Sequence, residues 1–147
     1  MACPYFYPAS TLSRGFWGQR ARLPLGDLYA GICRANPDVV FEPEEDLLRE
    51  CCNLGYAREQ CARFPRGAGP DAVRFAVSAA QDGVVRIRYA LERDHRPDQH
   101  GELVYDQHRQ ALEAPPENPV LARQAEAYAA SFLRRTGERA KGQATGW

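Results

Sequence analysis

The sequence has a single lysine (Lys141) against eighteen arginines, a single methionine, and no cysteine beyond residue 61. It has no run of about 20 apolar residues, so no helical membrane span is expected. It has no net charge either, because nineteen acidic and nineteen basic side chains cancel. No overall field therefore steers the chain toward nucleic acid or an anionic membrane. The start, Met-Ala-Cys-Pro-Tyr, carries neither the basic nor the apolar stretch of a secretory signal. No Gly-rich loop leads from a strand into a helix, since Gly67-Ala68-Gly69 precedes Pro70 and a strand, and no serine sits in a nucleophile elbow. A cytoplasmic protein is expected, with no membrane partner and no nucleic-acid partner, and with no motif that argues for an enzyme.

Apolar residues make up 44% and charged residues 26% of the 147 positions, ordinary values for one domain with a real core. The arginine bias suits phosphate or carboxylate recognition, and it equally suits a GC-rich coding sequence, as the frequent Ala, Gly and Pro suggest.

Residues 1–24 are rich in aromatics (Tyr5, Phe6, Tyr7, Phe16, Trp17) broken by proline and glycine, with no period of 2 or 3.6. They read as an irregular arm packed by its rings, because disordered tails are poor in aromatics. Asp27 can cap a short helix over 28–35, stopped by Asn36-Pro37. A second helix is predicted from Pro43, with Glu44, Glu45 and Asp46 at its positive end, Leu47, Leu48, Cys51, Cys52 and Leu54 on its apolar side, and Gly55 as its stop.

The segment 65–70, Pro-Arg-Gly-Ala-Gly-Pro, marks the clearest boundary. Beyond it the period becomes two. Val73, Phe75 and Val77 alternate with polar or small residues, Asp82-Gly83 is a favoured hairpin turn, and Val85, Ile87, Tyr89 and Leu91 alternate again. A polar loop over 94–101 leads to a third strand near Leu103–Tyr105. After Pro115-Pro116, Asn118 caps a final helix whose apolar stripe is Leu121, Ala125, Tyr128 and Phe132, ended by Gly137.

The predicted fold is α+β. An irregular, Cys- and aromatic-rich helical half (1–64) packs on a three-stranded antiparallel meander with a C-terminal helix (71–137). The two halves form one domain, 1–137, followed by a flexible tail, 138–147.

The five cysteines, Cys3, Cys33, Cys51, Cys52 and Cys61, all lie in the first half. In a reducing compartment such a set is more often metal-binding than disulfide-forming, and an odd count fits a disulfide framework poorly. The spacings are Cys3-x29-Cys33, Cys33-x17-Cys51 and Cys52-x8-Cys61. None is the C-x2-4-C knuckle of common zinc sites. An iron–sulfur cluster is larger and takes four thiolates from separated segments. The expected cofactor is accordingly a 4Fe-4S cluster on Cys3, Cys33, Cys52 and Cys61, and the alternative is zinc in a structural interaction module.

Adjacent side chains on an α-helix diverge by about 100°, so one of the vicinal pair ligates and the other packs. Cys51 shares the face of Leu47 and Leu48 and is the alternate to Cys52, whose sulfur Asn53 can support with a hydrogen bond. Cysteine is also among the most buried residue types, so packing alone competes with metal binding. Thiol redox catalysis ranks last, without C-x-x-C or a flanking Lys or His. The role expected is electron transfer or a cluster-stabilised subunit, with a protein partner or redox complex.

Two weaker constellations remain. His95, His100 and His108 lie among Asp94, Asp98, Glu102 and Asp106 but match no metal or acid–base template, and they read as a solvated loop. Arg74, Arg86 and Arg88 should share the outer face of the sheet without interleaved aromatics, and they read as a face screened by acids.

Overall fold

The computed structural model of the chain describes residues 1–12, 23–67 and 69–145, the last eight of these by backbone alone. The expected packing of Phe16 and Trp17 lies outside the described residues, as does the end of the tail at 146–147. The fold is α+β, with short N-terminal helices, a two-stranded and a four-stranded antiparallel sheet, and a C-terminal helix packed on strands.

The four-stranded sheet follows the period-two segments. Strands β3 (Ala72–Gln81), β4 (Val84–Arg93), β5 (Arg96–Asp106) and the two-residue β6 (Ala111–Leu112) pair in chain order. Val73, Val85, Ile87, Leu91, Leu103 and Tyr105 point inward and are buried. The Asp82-Gly83 turn has positive φ at both residues, 55° and 80°, as a type I′ hairpin requires. On the outer face, Arg74 pairs with Glu92, and Arg86 and Arg88 face Glu102. That face is the screened one expected.

The sheet differs from the predicted three-stranded meander in two respects, the first being the added edge strand β6. The segment read as a polar loop over 94–101 is mostly strand, because β4 and β5 meet in a second tight turn at Asp94-His95, with φ of 53° and 62°. No glycine eases this turn. Its amides are instead satisfied from elsewhere in the chain: Asp94 N–H donates to the Asp71 carboxylate at 2.8 Å and His95 N–H to Tyr56 Oη at 3.3 Å. Within β5, Gly101 leaves room for the ring of Tyr89 across the strand pair, 2.8 Å from where a Cβ would stand. This is the aromatic cover of a strand glycine.

The final helix, α3 (Pro119–Thr145), starts as predicted. Asn118 Oδ1 accepts from Val120 N–H at 3.0 Å and Leu121 N–H at 3.2 Å. It does not stop at Gly137 but runs on to Thr145. One glycine costs a helix interior only about 1 kcal/mol. Ala125 and Ala129 are buried against the sheet with Tyr128 and Phe132 partly buried beside them, while Leu121 joins the core cluster of the N-terminal half.

The N-terminal half, expected to be irregular and helical, holds short helices and also a strand pair. Residues Phe6–Thr11 form β1 and Tyr29–Cys33 form β2, an antiparallel pair with Phe6 opposite Cys33 and a bulge between Pro8 and Ser10. Phe6 and Pro8 do alternate inward. The prolines that masked this period are compatible with an edge strand. The helix expected over 28–35 is β2. Gly31 passes so close to β1 that a Cβ would lie 2.0 Å from the Tyr7 carbonyl oxygen. Asp27 forms an ion pair with Arg134 at 2.6 Å.

The helix expected from Pro43 is a single α-turn, α1 (Glu45–Leu47), which widens at once into a π-helical turn over Leu48–Cys52. Asn53 N–H closes it on Leu48 C=O at 2.9 Å, an i to i+5 bond. Gly55 ends the segment as read, with φ of 93°. A last short helix, α2 (Ala57–Gln60), leads to Cys61.

Candidate metal centre

The structure brings all five cysteines together. Cys3, Cys33, Cys51, Cys52 and Cys61 line one small apolar-walled cavity of about 20 Å³ with Tyr5, Phe6, Ala57 and Phe64. They arrive from four separate segments: the N-terminal residues before β1, the end of β2, the π-turn, and the residue after α2. All are free thiols. Cys3, Cys51 and Cys52 are buried, while Cys33 and Cys61 are half-buried on the outer side.

Each segment is pinned by its backbone, so the convergence does not depend on the sulfurs. Cys3 N–H donates to Cys52 C=O at 3.2 Å, and the neighbouring Ala2 exchanges two 3.0 Å bonds with Val73 of β3. Cys33 N–H donates to Phe41 C=O at 2.8 Å, and Arg34 N–H to Tyr5 C=O at 2.8 Å. Cys61 N–H reaches Ala57 C=O at 2.7 Å, and its own C=O accepts from Phe64 N–H at 3.1 Å.

Two buried side chains, neither assigned this role from the sequence, fix the cage from behind. Asn53 was expected to support a sulfur, but its amide is fully engaged by backbone. Its Oδ1 accepts from Tyr29 N–H at 2.9 Å, and its Nδ2 donates to Tyr29 C=O at 2.9 Å and Leu48 C=O at 3.0 Å. It thereby ties the π-turn to β2. Gln124 of α3 donates from Nε2 to the carbonyls of Cys3 and Phe6, both at 2.8 Å. The signal for Gln124 was available, as a polar residue three positions after Leu121 on the apolar face of the last helix. On the far side, Asp71 accepts from Arg58 and Tyr56 as well as Asp94, which clamps α2 to the β4–β5 turn.

Sequence reasoning places Cys51 in the core and Cys52 at the site. Both line the cavity, and both belong to the main apolar cluster.

The electrostatics of the cavity disfavour bare thiolates. Burial pushes the Cys3 thiol up to about 12, against a hydrogen bond from Tyr5 N–H to its sulfur, and the thiols of Cys33, Cys61 and Cys51 raise it further. Burial also raises Cys52 and Cys51, with the surrounding thiols adding to the effect. The buried donors Cys3, Cys51 and Cys52 stay protonated until a cation compensates their charge. Among the described residues no three His, Cys, Asp or Glu side chains are disposed around a point where a single metal ion would sit. The cavity volume is about that of one water-sized probe.

The other constellations stay apart. His95 stacks on Tyr56 with centroids 4.4 Å apart, His100 lies on β5, and His108 follows β5 near Gly83. Among the described residues they form no shared metal site.

The arrangement defines an α+β protein with a five-thiol pocket between its N-terminal strand pair, the π-turn and α2. Comparison with protein-family models, curated proteins and solved structures finds no match for this chain. Among the described residues no helix is long and apolar enough to cross a membrane.

Proposed function

We propose that this chain is a small cytoplasmic iron–sulfur protein whose 4Fe-4S cluster is held by Cys3, Cys33, Cys52 and Cys61, with Cys51 as the alternate to Cys52. Its role is electron transfer to a protein partner, or service as a cluster-stabilised subunit of a redox complex. The observation that carries the reading is the convergence of five thiols from four distant segments on one apolar cavity.

The donor set fits such a group in kind, since thiolates are the ligands of iron–sulfur clusters, and in number, since four are needed. It fits in volume only with rearrangement, because about 20 Å³ is far smaller than a four-iron core. The half-buried Cys33 and Cys61 are the side chains with room to turn outward. Bound, the cluster would supply one-electron chemistry. The chain itself contributes a fixed backbone at each cysteine, an N–H bond to the Cys3 sulfur, and largely apolar walls.

A zinc-stapled interaction module is less well supported, because no three donors surround a single-ion position among the described residues. Packing cysteines remain the competing account, since Cys3, Cys51 and Cys52 also belong to the main apolar cluster.

Iron and acid-labile sulfide analysis of anaerobically purified protein, with a visible spectrum, separates the three. About four irons and matching sulfide per chain are expected. One colourless zinc would replace the cluster reading with the zinc one, and a metal-free protein would return the thiols to the core.

A further inference from the structure

The four-stranded sheet ends on the two-residue β6 at one side and on the ten-residue β3 at the other. Among the described residues Ala2 alone pairs with the outer side of β3, exchanging two 3.0 Å bonds with Val73. The N–H and C=O of Val73 therefore point away from β4, and antiparallel alternation turns the same groups of Phe75 and Val77 outward. From Phe75 to Gln81 the strand carries no charge and no proline, two of the devices that keep an edge from pairing with another chain. A bulge between Val77 and Ala79 is present, and it divides the free edge into two short flanks.

The two ends of this neutral stretch differ in charge. Arg74 precedes it and borders a groove of about 570 Å³, which Arg135 and Tyr128 of α3 also line. Arg74 meets Glu92 through Nε, and its side chain is more than half exposed. Asp82 follows the stretch in the exposed hairpin turn, and among the described residues it forms no ion pair. Two copies laid edge to edge and antiparallel bring the Asp82 end of each to the arginine end of the other. A parallel arrangement would set like ends together.

We propose that this chain forms a homodimer by antiparallel pairing of its β3 edges, about a two-fold axis near Ser78. The two four-stranded sheets become one of eight strands, and each Asp82 faces Arg74 and Arg135 of the other copy. Both ends of the edge are matched at once by the same contact, as an isologous interface requires. This self-match is what favours a second copy over an unrelated extended strand. The pairing is independent of what the cysteines hold.

Sedimentation equilibrium of the full chain under reducing conditions tests the pairing, with wild type, Ala80→Lys and Asp82→Asn compared. Wild type is expected to pass from the mass of one chain to that of two as its concentration rises. Ala80→Lys puts a lysine at an exposed edge position and is expected to abolish the dimer. Asp82→Asn keeps the turn, which Asn-Gly suits as well. It is expected to weaken the dimer about tenfold, or about 1.4 kcal/mol over the two symmetric contacts. A wild type that stays monomeric at every concentration overturns the proposal and leaves the edge to a strand from another protein. A dimer that survives Ala80→Lys overturns it too, since the contact then lies elsewhere, and so does one that Asp82→Asn leaves at full strength. If Ala80→Lys loses the wild-type circular dichroism, Ala76→Lys, also at an exposed position, takes its place with the same two readings.

Discussion

Replacing Asn53 by alanine tests whether the thiol pocket is organised by the protein before anything binds in it. The side chain is 1% exposed and makes three hydrogen bonds, two of them to the N–H and C=O of Tyr29, itself buried. Leu48 C=O keeps its bond from Asn53 N–H in the variant, so it is not orphaned. Tyr29 loses both partners. A buried backbone group left unpaired costs about 1–3 kcal/mol, and two such groups give about 4 kcal/mol. With a urea dependence of about 2 kcal/mol per molar for a domain of this size, the midpoint should fall by about 2 M. The assay is urea unfolding of metal-free, reduced protein followed by circular dichroism, with thiol-reagent kinetics on the folded state as a second readout. Releasing the π-turn from β2 should also speed the reaction of Cys51 and Cys52. A loss below about 1 kcal/mol, the worth of one ordinary hydrogen bond, together with unchanged thiol kinetics, would refute the view that Asn53 sets the cage.

Two further predictions follow from the clamp and the last helix. Asp71 is almost fully buried, and burial alone would raise its pKa. The bonds from Asp94 N–H, Arg58 and Tyr56 outweigh that effect, and the carboxyl lies below its usual value. Its contribution is therefore present above the ordinary carboxylate range near pH 4 and fades as pH falls through the depressed folded value. Asp71→Asn should be less stable than wild type at pH 7 and should lose less stability on acidification, and parallel stability–pH curves for the two proteins would contradict this. Phe132 was read from the sequence as a buried aromatic, but it is only partly buried at the rim of the second apolar cluster. Phe132→Ala should cost about 2 kcal/mol rather than the 3–5 of a fully buried ring, as checked by thermal unfolding.

The strands of the main sheet and the start of the last helix were legible because local chemistry specifies them. Period-two alternation, Asp82-Gly83 and Asn118-Pro119 each carry their own reason for the backbone they adopt. The grouping of all cysteines in the first 61 residues was equally plain. The strand pair β1–β2 was harder, since Pro8 hides the alternation of β1 and Gly31 explains itself only when the Tyr7 carbonyl is seen against it.

Three features belonged to the tertiary structure alone. The Asp94-His95 turn has no glycine and exists because Asp71 and Tyr56, 23 and 39 residues away, satisfy its amides. The Leu48–Cys52 segment carries helix-forming residues that suit an α-turn as well as a π-turn. The wider winding accompanies the bonds of Asn53 to β2. The third feature is the placing of both Cys51 and Cys52 on one cavity. Sequence determined which residues carry the sulfur chemistry, through composition and position along the chain. Long-range hydrogen bonding decided which of those sulfurs meet, because the direction of a side chain depends on a backbone path that no local pattern encodes.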